Sequence, residues 1–193
     1  MPADGWTAHA EEQRRAWQRT PRRATDCPMA AAPDAPPRPA IAPRERLIVA
    51  LDFAAADDAR RLVRALGDAA CFYKVGLELF CADGAFRLVR ELVDAGNQVF
   101  LDLKLFDIPA TVAAAVRNAR GHGARFVTVH ASRRVLEAAC AEKGDLGVLA
   151  VTVLTSFDAA DLRDLGYPPS VTAEALVLQR ARTALAAGCD GVV

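Results

Sequence analysis

The 193-residue sequence has no excess of charge of either sign, with 24 Lys plus Arg set against 24 Asp plus Glu. Nucleic acids and acidic membrane surfaces are recognised through cationic patches, so overall charge points to neither, and any anionic ligand must be held by a local site. Cysteine is scarce and scattered. Cys27, Cys71, Cys81, Cys140 and Cys189 form an odd set with no C-x-x-C pair, which suggests neither a disulfide framework nor a zinc site and fits reduced thiols. No apolar run reaches the roughly 18 residues of a membrane span, and the N-terminus lacks the apolar stretch of a secretory signal, so a cytoplasmic protein is expected. Also missing are G-x-S-x-G, H-E-x-x-H and G-x-x-x-x-G-K-[ST], leaving hydrolase, zincin and P-loop readings without an anchor. Gly121 and Gly123 in GHGARF mimic part of a dinucleotide loop, but they close a helix and enter a strand, the reverse of the order such a loop needs.

What is present is a composition of 52% hydrophobic and 25% charged residues, enough for one sizeable core. Residues 1–45 stand apart. They hold Trp6, Trp17, the Arg-rich RRAWQRTPRR and the Pro-Ala tract APDAPPRPAIAP, a mixture too poor in packable apolar surface to offset ordering, and read as a disordered leader. A start at Met29 is the plainer alternative. A transit peptide is a third, against which Asp4, Glu11, Glu12 and Asp26 weigh.

From Leu47 onward, short β-branched runs alternate with amphipathic stretches. Strands are expected at LIVALD (47–52), CFYKVG (71–76), QVFLDLK (98–104), RFVTVH (125–130), GVLAVTVLT (147–155) and the terminal DGVV. Helices are expected at 57–66 before Gly67, at 83–95 before Gly96, from Pro109 to Gly121, and from Thr172 to Gly188. The stretch 158–170, with Tyr167-Pro168-Pro169, reads as a rigid surface turn. Regular β-α alternation implies a parallel sheet, either doubly wound or closed as a (β/α)8 TIM-type barrel. A doubly wound sheet gathers its ligand groups at one switch point, whereas a barrel takes one or two from each strand end. Asp52, Lys74, Asp102 with Lys104, His130 and Thr155 fall one set per strand. The barrel is the reading adopted, for about six of its eight β-α units.

Asp102 and Lys104 are two apart, so the strand period sends both to one face at the mouth. Charges inside an apolar strand are tolerated only when paired, and Lys74 on the preceding strand would let charges alternate. A structural ion pair at the rim is the bland alternative for this couple. Asp107, before Ile108-Pro109, reads either as a helix N-cap or as a functional group. His130 reads as a satisfied structural group or as one that orients the site, and is not counted as catalytic.

The strings LIVALDF, YKVG, FLDLKLFDIPATV, VTVHAS and AVTVLTS, in this order, resemble bacterial orotidine 5′-phosphate decarboxylases throughout residues 47–193; D-x-K-x-x-D followed by I-P-x-T is the specific element. The resemblance implies a cofactor-free lyase that makes UMP, with no metal, flavin or pyridoxal. It implies that Asp52 and Lys74 hold the ribose hydroxyls and that Asp102 lies beside the substrate carboxylate. Lys104 would protonate C6 as carbon dioxide leaves. Asp107 and Thr111 would reach into the neighbouring subunit of a homodimer, Ile108 would join the substrate-binding set, and Thr155 would contact the pyrimidine. Such chemistry suits these residue types, because a carbanion without an electron sink needs a fixed cation to stabilise and quench it.

In the resembling family, the sixth strand is followed by a phosphate-covering loop and two more β-α units carrying P-G-I-R and G-R segments. The chain is therefore read as C-terminally truncated and nearly inactive, its parallel sheet left with two open edges. Three alternatives stand beside this. One is a magnesium-using relative such as a 3-keto-gulonate 6-phosphate decarboxylase, against which YKVG and DIPAT argue. Another is a non-catalytic remnant keeping a dimerising surface around 107–116. The last is a sequence that is simply a piece of a longer one.

Overall fold

A computed structural model describes residues 41–193. The leader and alternative start at Met29 therefore lie outside the described residues, except for 41–45. Within those, Pro43–Glu45 forms a single 3-10 turn, and Arg44 donates from Nε to Cys71 Sγ at 3.4 Å.

Six strands form one sheet: β1 (Val49–Ala50), β2 (Phe72–Gly76), β3 (Gln98–Leu105), β4 (Phe126–His130), β5 (Gly147–Val151) and β6 (Gly191–Val192). Their spatial order is their sequence order, and every neighbouring pair is parallel. A doubly wound sheet would reverse direction at a switch point; sequential order without reversal is the order of a (β/α) barrel, whose helices all lie on one side. The helices that follow the strands are α1 (Ala56–Leu66), α2 (Leu77–Phe80), α3 (Ala85–Asp94), α4 (Pro109–Gly121), α5 (Arg133–Glu142), α6 (Ala159–Asp164) and α7 (Ala173–Ala186). Among the described residues, none is long and apolar enough to cross a membrane.

Three departures from the expected bounds stand out. The first strand shortens from 47–52 to two residues, since it pairs only with β2 and leaves Leu47 and Ile48 exposed. The fifth ends at Val151 rather than Thr155, because both the amide and the hydroxyl of Thr152 turn to the Val193 carbonyl, at 2.9 and 2.8 Å. The stretch read as a surface turn contains α6, opened by a reciprocal capping box between Asp158 and Asp161. Tyr167 beyond it accepts a hydrogen bond from Arg180 of α7 at 2.9 Å. Helix α5, for which the sequence offered no bounds, buries Val135, Leu136 and Ala139.

Alternation along the central strands divides the protein into two interiors. Tyr73, Val75, Val99, Leu101, Val127, Val129, Val148 and Ala150 point outward and are buried with Leu88, Val89, Leu92, Val112, Val116 and Leu136 of the helices. Each such Val or Leu side chain contributes roughly 1.5–3 kcal/mol on leaving water. Inward, Phe126 lies 5.8 Å from Phe72 and 6.1 Å from Phe100, ring centre to ring centre, forming an aromatic floor. Gly147 is obligatory beside it: a Cβ there would sit 2.3 Å from the Phe126 ring. Above this floor the inward positions turn polar.

Candidate active site

The inward residue above Phe72 is Lys74, in the middle of β2 and not at its end as the sequence suggested. Above Phe100 comes Asp102, and above Phe126 comes Thr128, fully buried. Lys74 Nζ lies 3.2 Å from Asp52 Oδ1 and 3.6 Å from Asp102 Oδ2, while Lys104 Nζ lies 2.9 Å from that same Asp102 oxygen. The four side chains make a continuous line of alternating charge, Asp52, Lys74, Asp102, Lys104. Its inner carboxylate is the most enclosed, with the Asp102 side chain 13% exposed against 39% for Lys104.

Local backbone geometry sets this line. Lys104 has φ 48°, the one non-glycine residue with positive φ among those described, and the β3–β4 register shifts between Leu101 and Leu105. A side-chain-bearing residue in the left-handed region costs about 1–3 kcal/mol and persists only when its surroundings over-determine it. Here the determinant is Thr128. Its Oγ1 accepts the Lys104 amide at 2.9 Å, replacing the lost ladder bond, and donates to Asp102 Oδ1 at 3.0 Å. One buried hydroxyl thus fixes both the backbone of the lysine and the carboxylate beside it. A second unforeseen residue is Gly76, where a Cβ would stand 3.0 Å from Asp52 Oδ1, crowding the Asp52–Lys74 pair.

Burial works to raise the Asp102 carboxyl, but hydrogen bonds from Lys104 and Thr128 and the charges of Lys104 and Lys74 outweigh it, holding the group below its ordinary value. His130, at the end of β4, is held below its ordinary value by burial first and then by the nearby cations Arg180 and Lys104. It packs edge-on against Phe106 at 5.5 Å.

The remaining expected residues stand apart from this line. Asp107 is not the N-cap of α4; that place is taken by Ile108, and the Asp107 carboxylate accepts the Ile108 amide at 2.6 Å. Phe106 and Ile108 are 70% and 66% exposed, and Asp107 and Thr111 lie on the same open rim. Thr155 occupies an exposed turn closed by the Phe157 amide on the Leu154 carbonyl. Among the described residues, no hydrogen bond or ion pair joins Asp107, Thr111 or Thr155 to the charged line, and no three His, Cys, Asp or Glu side chains cluster as metal donors.

A sequential parallel sheet whose inward charges gather above a packed floor defines a (β/α)-barrel protein, a class whose sites lie toward the carboxyl ends of the strands. Within that class the particular family follows from comparison: residues 45–193 match the model of the orotidine 5′-phosphate decarboxylase / HUMPS family, and the chain belongs to that family. It is 54% identical over 149 residues to an orotidine 5′-phosphate decarboxylase of Methylococcus capsulatus, covering 77% of this chain and 61% of the relative. It is 50% identical over 152 residues to that of Nitrobacter winogradskyi, covering 78% and 62%. The chain thus spans about three fifths of the length of the curated relatives it matches. Two crystal structures share the fold, each at a TM-score of 0.68. The orotidine 5′-phosphate decarboxylase of Lactobacillus acidophilus is 31% identical (76% of this chain, 69% of that one), and an uncharacterized conserved protein of Geobacillus kaustophilus is 37% identical (75% and 71%).

Proposed function

We propose that this site decarboxylates orotidine 5′-phosphate to UMP without a cofactor, in pyrimidine biosynthesis, with Lys104 as the proton donor. The observation that carries the reading is the line Asp52–Lys74–Asp102–Lys104, in which an ammonium is fixed at 2.9 Å from an enclosed carboxylate. When the bond from C6 to the carboxylate breaks, its electron pair stays on carbon. Lys104 stabilises that charge and delivers a proton to C6, and solvent then restores the ammonium. Because the array is held by Thr128 and by the φ 48° backbone, little reorganisation is needed as charge moves. Asp102 lies beside the substrate carboxylate, and Asp52 with Lys74 bind the ribose hydroxyls. Ile108 and Thr155 line the substrate-binding side of the rim.

The acting form is a cytoplasmic homodimer in which Asp107 and Thr111 complete the partner's site. The exposed rim of Phe106, Asp107, Ile108 and Thr111 supports this, since these residues have no role within their own chain's array. The catalytic domain starts near residue 46; the compact unit from Ile41 and the family match from residue 45 support that boundary.

The test uses orotidine 5′-phosphate labelled in its carboxylate, with reaction run in heavy water. Labelled carbon dioxide and UMP deuterated at C6 are expected, and Lys104→Ala abolishes both. Mixing Lys104→Ala with Asp107→Ala chains should restore activity in about one quarter of sites, the share that random pairing makes intact. Lys104→Ala with undiminished release of carbon dioxide would overturn the lysine's role; no recovery on mixing would overturn the shared site.

A further inference from the structure

The cysteines scattered in sequence are not all scattered in space. Cys140, half-buried in the last turns of α5, and Cys189, buried just ahead of β6, bring their sulfurs to 3.6 Å across 49 residues of chain. We propose that this pair is an oxidisable dithiol, a modification site at which a hydroperoxide joins Cys140 to Cys189 and ties α5 to the entry of β6.

Neighbouring groups hold the two sulfurs together independently of any bond between them. Lys143, one residue past α5, donates from Nζ to the Gly188 carbonyl at 2.7 Å and to Asp190 Oδ2 at 2.8 Å, clamping the helix end to the segment on both sides of Cys189. Asp190 Oδ2 also accepts the Val148 amide at 2.8 Å, so this segment is anchored to β5 as well. Gly188 turns with φ 86°, and a Cβ there would lie 4.0 Å from that of Cys140, so the backbones meet closely. A disulfide needs the sulfurs to approach by about 1.5 Å more, to a bond near 2.05 Å, a distance that side-chain rotation supplies. Cys71 pairs with Arg44 instead, and Cys81 is exposed.

The two thiols are also unequal. The hydrogen bond from Cys189, aided by the Lys143 charge, lowers Cys140, while the same bond and burial push Cys189 up. Cys140 is therefore the nucleophile. Its thiolate attacks the peroxide, the oxygen–oxygen bond breaks, and an alcohol departs with one proton, leaving Cys140 as a sulfenic acid. The Cys189 sulfur then attacks the Cys140 sulfur, the sulfur–oxygen bond breaks, and water leaves with the Cys189 proton. In sum, two thiols and one hydroperoxide give one disulfide, one alcohol and one water.

The whole 193-residue chain is treated with hydrogen peroxide at neutral pH, its remaining thiols are blocked, and its peptides are mapped by mass spectrometry. A Cys140–Cys189 cross-linked peptide is expected, lighter by two hydrogens, reversed by dithiothreitol, and formed about tenfold faster than oxidation of Cys81. Closing this loop should raise Tm by roughly 5–10 °C, a rise missing in Cys189→Ser. Cys140 accumulating as sulfenic or sulfinic acid with Cys189 still free, or cross-linked instead to Cys81, would overturn the proposal. Mapping of the unsubstituted chain decides the matter even if the serine variant fails to fold.

Discussion

Strand β3 carries the whole contrast of the molecule on its two faces. Outward, Leu101, Leu103 and Leu105 face the helices and a cavity of about 330 Å³ walled by Phe80, Phe86 and Val89. Inward, Phe100, Asp102 and Lys104 rise from an aromatic floor to a fixed ion pair. Outside, the contacts are apolar and non-directional, and a cavity remains beside them. Inside, Lys74, Asp102, Lys104 and Thr128 each have named polar partners, and one lysine is kept in a left-handed conformation to reach its own. The lesson is that a strand with period two can separate the residues that make a fold from those that use it.

That separation is broken most severely by Lys104→Ala. It should reduce kcat/KM for carbon dioxide release by about 10³- to 10⁴-fold, the range of a general acid with its electrostatic role, while lowering the urea midpoint only modestly, since the enclosed Asp102 loses its 2.9 Å partner but keeps Lys74 at 3.6 Å. A folded Lys104→Ala with activity within tenfold would make the inner face merely structural. The mirror experiment is Leu101→Ala on the outer face. It should cost about 2–5 kcal/mol of stability, read by urea unfolding, with kcat of the folded protein altered by less than about twofold because the charged line is untouched.

Thr128 sharpens the comparison, because it touches fold and site at once. Thr128→Val strands the Lys104 amide and one Asp102 oxygen, and should cost about 1–3 kcal/mol. Unlike Leu101→Ala, it should also lower kcat, by about tenfold as the ion pair loses its fixed geometry, and Thr128→Ser should recover both. Equal kcat in the valine and serine variants would reduce Thr128 to packing.

The sequence made some of this legible and hid the rest for identifiable reasons. The pairing of Asp102 with Lys104 followed from their spacing, and Lys74 joined them as alternating charge requires. The sheet order followed from the distribution of polar residues over strand ends. Hidden were the left-handed Lys104 and the role of Thr128, because a bulge depends on the register between two strands, which neither strand encodes alone. Yet Thr128 gave a signal: it is polar, inside an apolar strand, and two residues before His130 on the same face. The end of β5 was hidden because the Val193 carbonyl, far along the chain, captures Thr152. The capping box of α6 was present as Asp158-x-x-Asp161 and was outweighed by the prolines that follow. Cys140 and Cys189 gave no signal at all, since only the fold brings them together.

The smallest effect tests the inner face by height, through acid. For His130, the folded value lies below the ordinary 6.5 because burial, Arg180 and Lys104 all oppose the imidazolium. Above 6.5 the folded and unfolded forms are both neutral and the residue costs nothing. As pH falls below 6.5, the unfolded chain takes up its proton first, so stability is lost until pH passes the folded value, where the loss levels off. For Asp102 the folded value lies below the ordinary 3.8, so its stabilisation is complete above 3.8 and disappears as pH falls beneath it. The upper and lower members of one interior therefore titrate in separate windows. Urea midpoints measured from pH 7 to pH 2 should show two descents; His130→Gln removes the first, and Asp102→Asn diminishes the second, which Asp158, Glu174 and Asp190, also held below their ordinary values, share. If His130→Gln kept the first descent, the imidazole would not be held neutral by its burial and the cations beside it, and His130 would belong with the packing of Phe106 and not with the charged line.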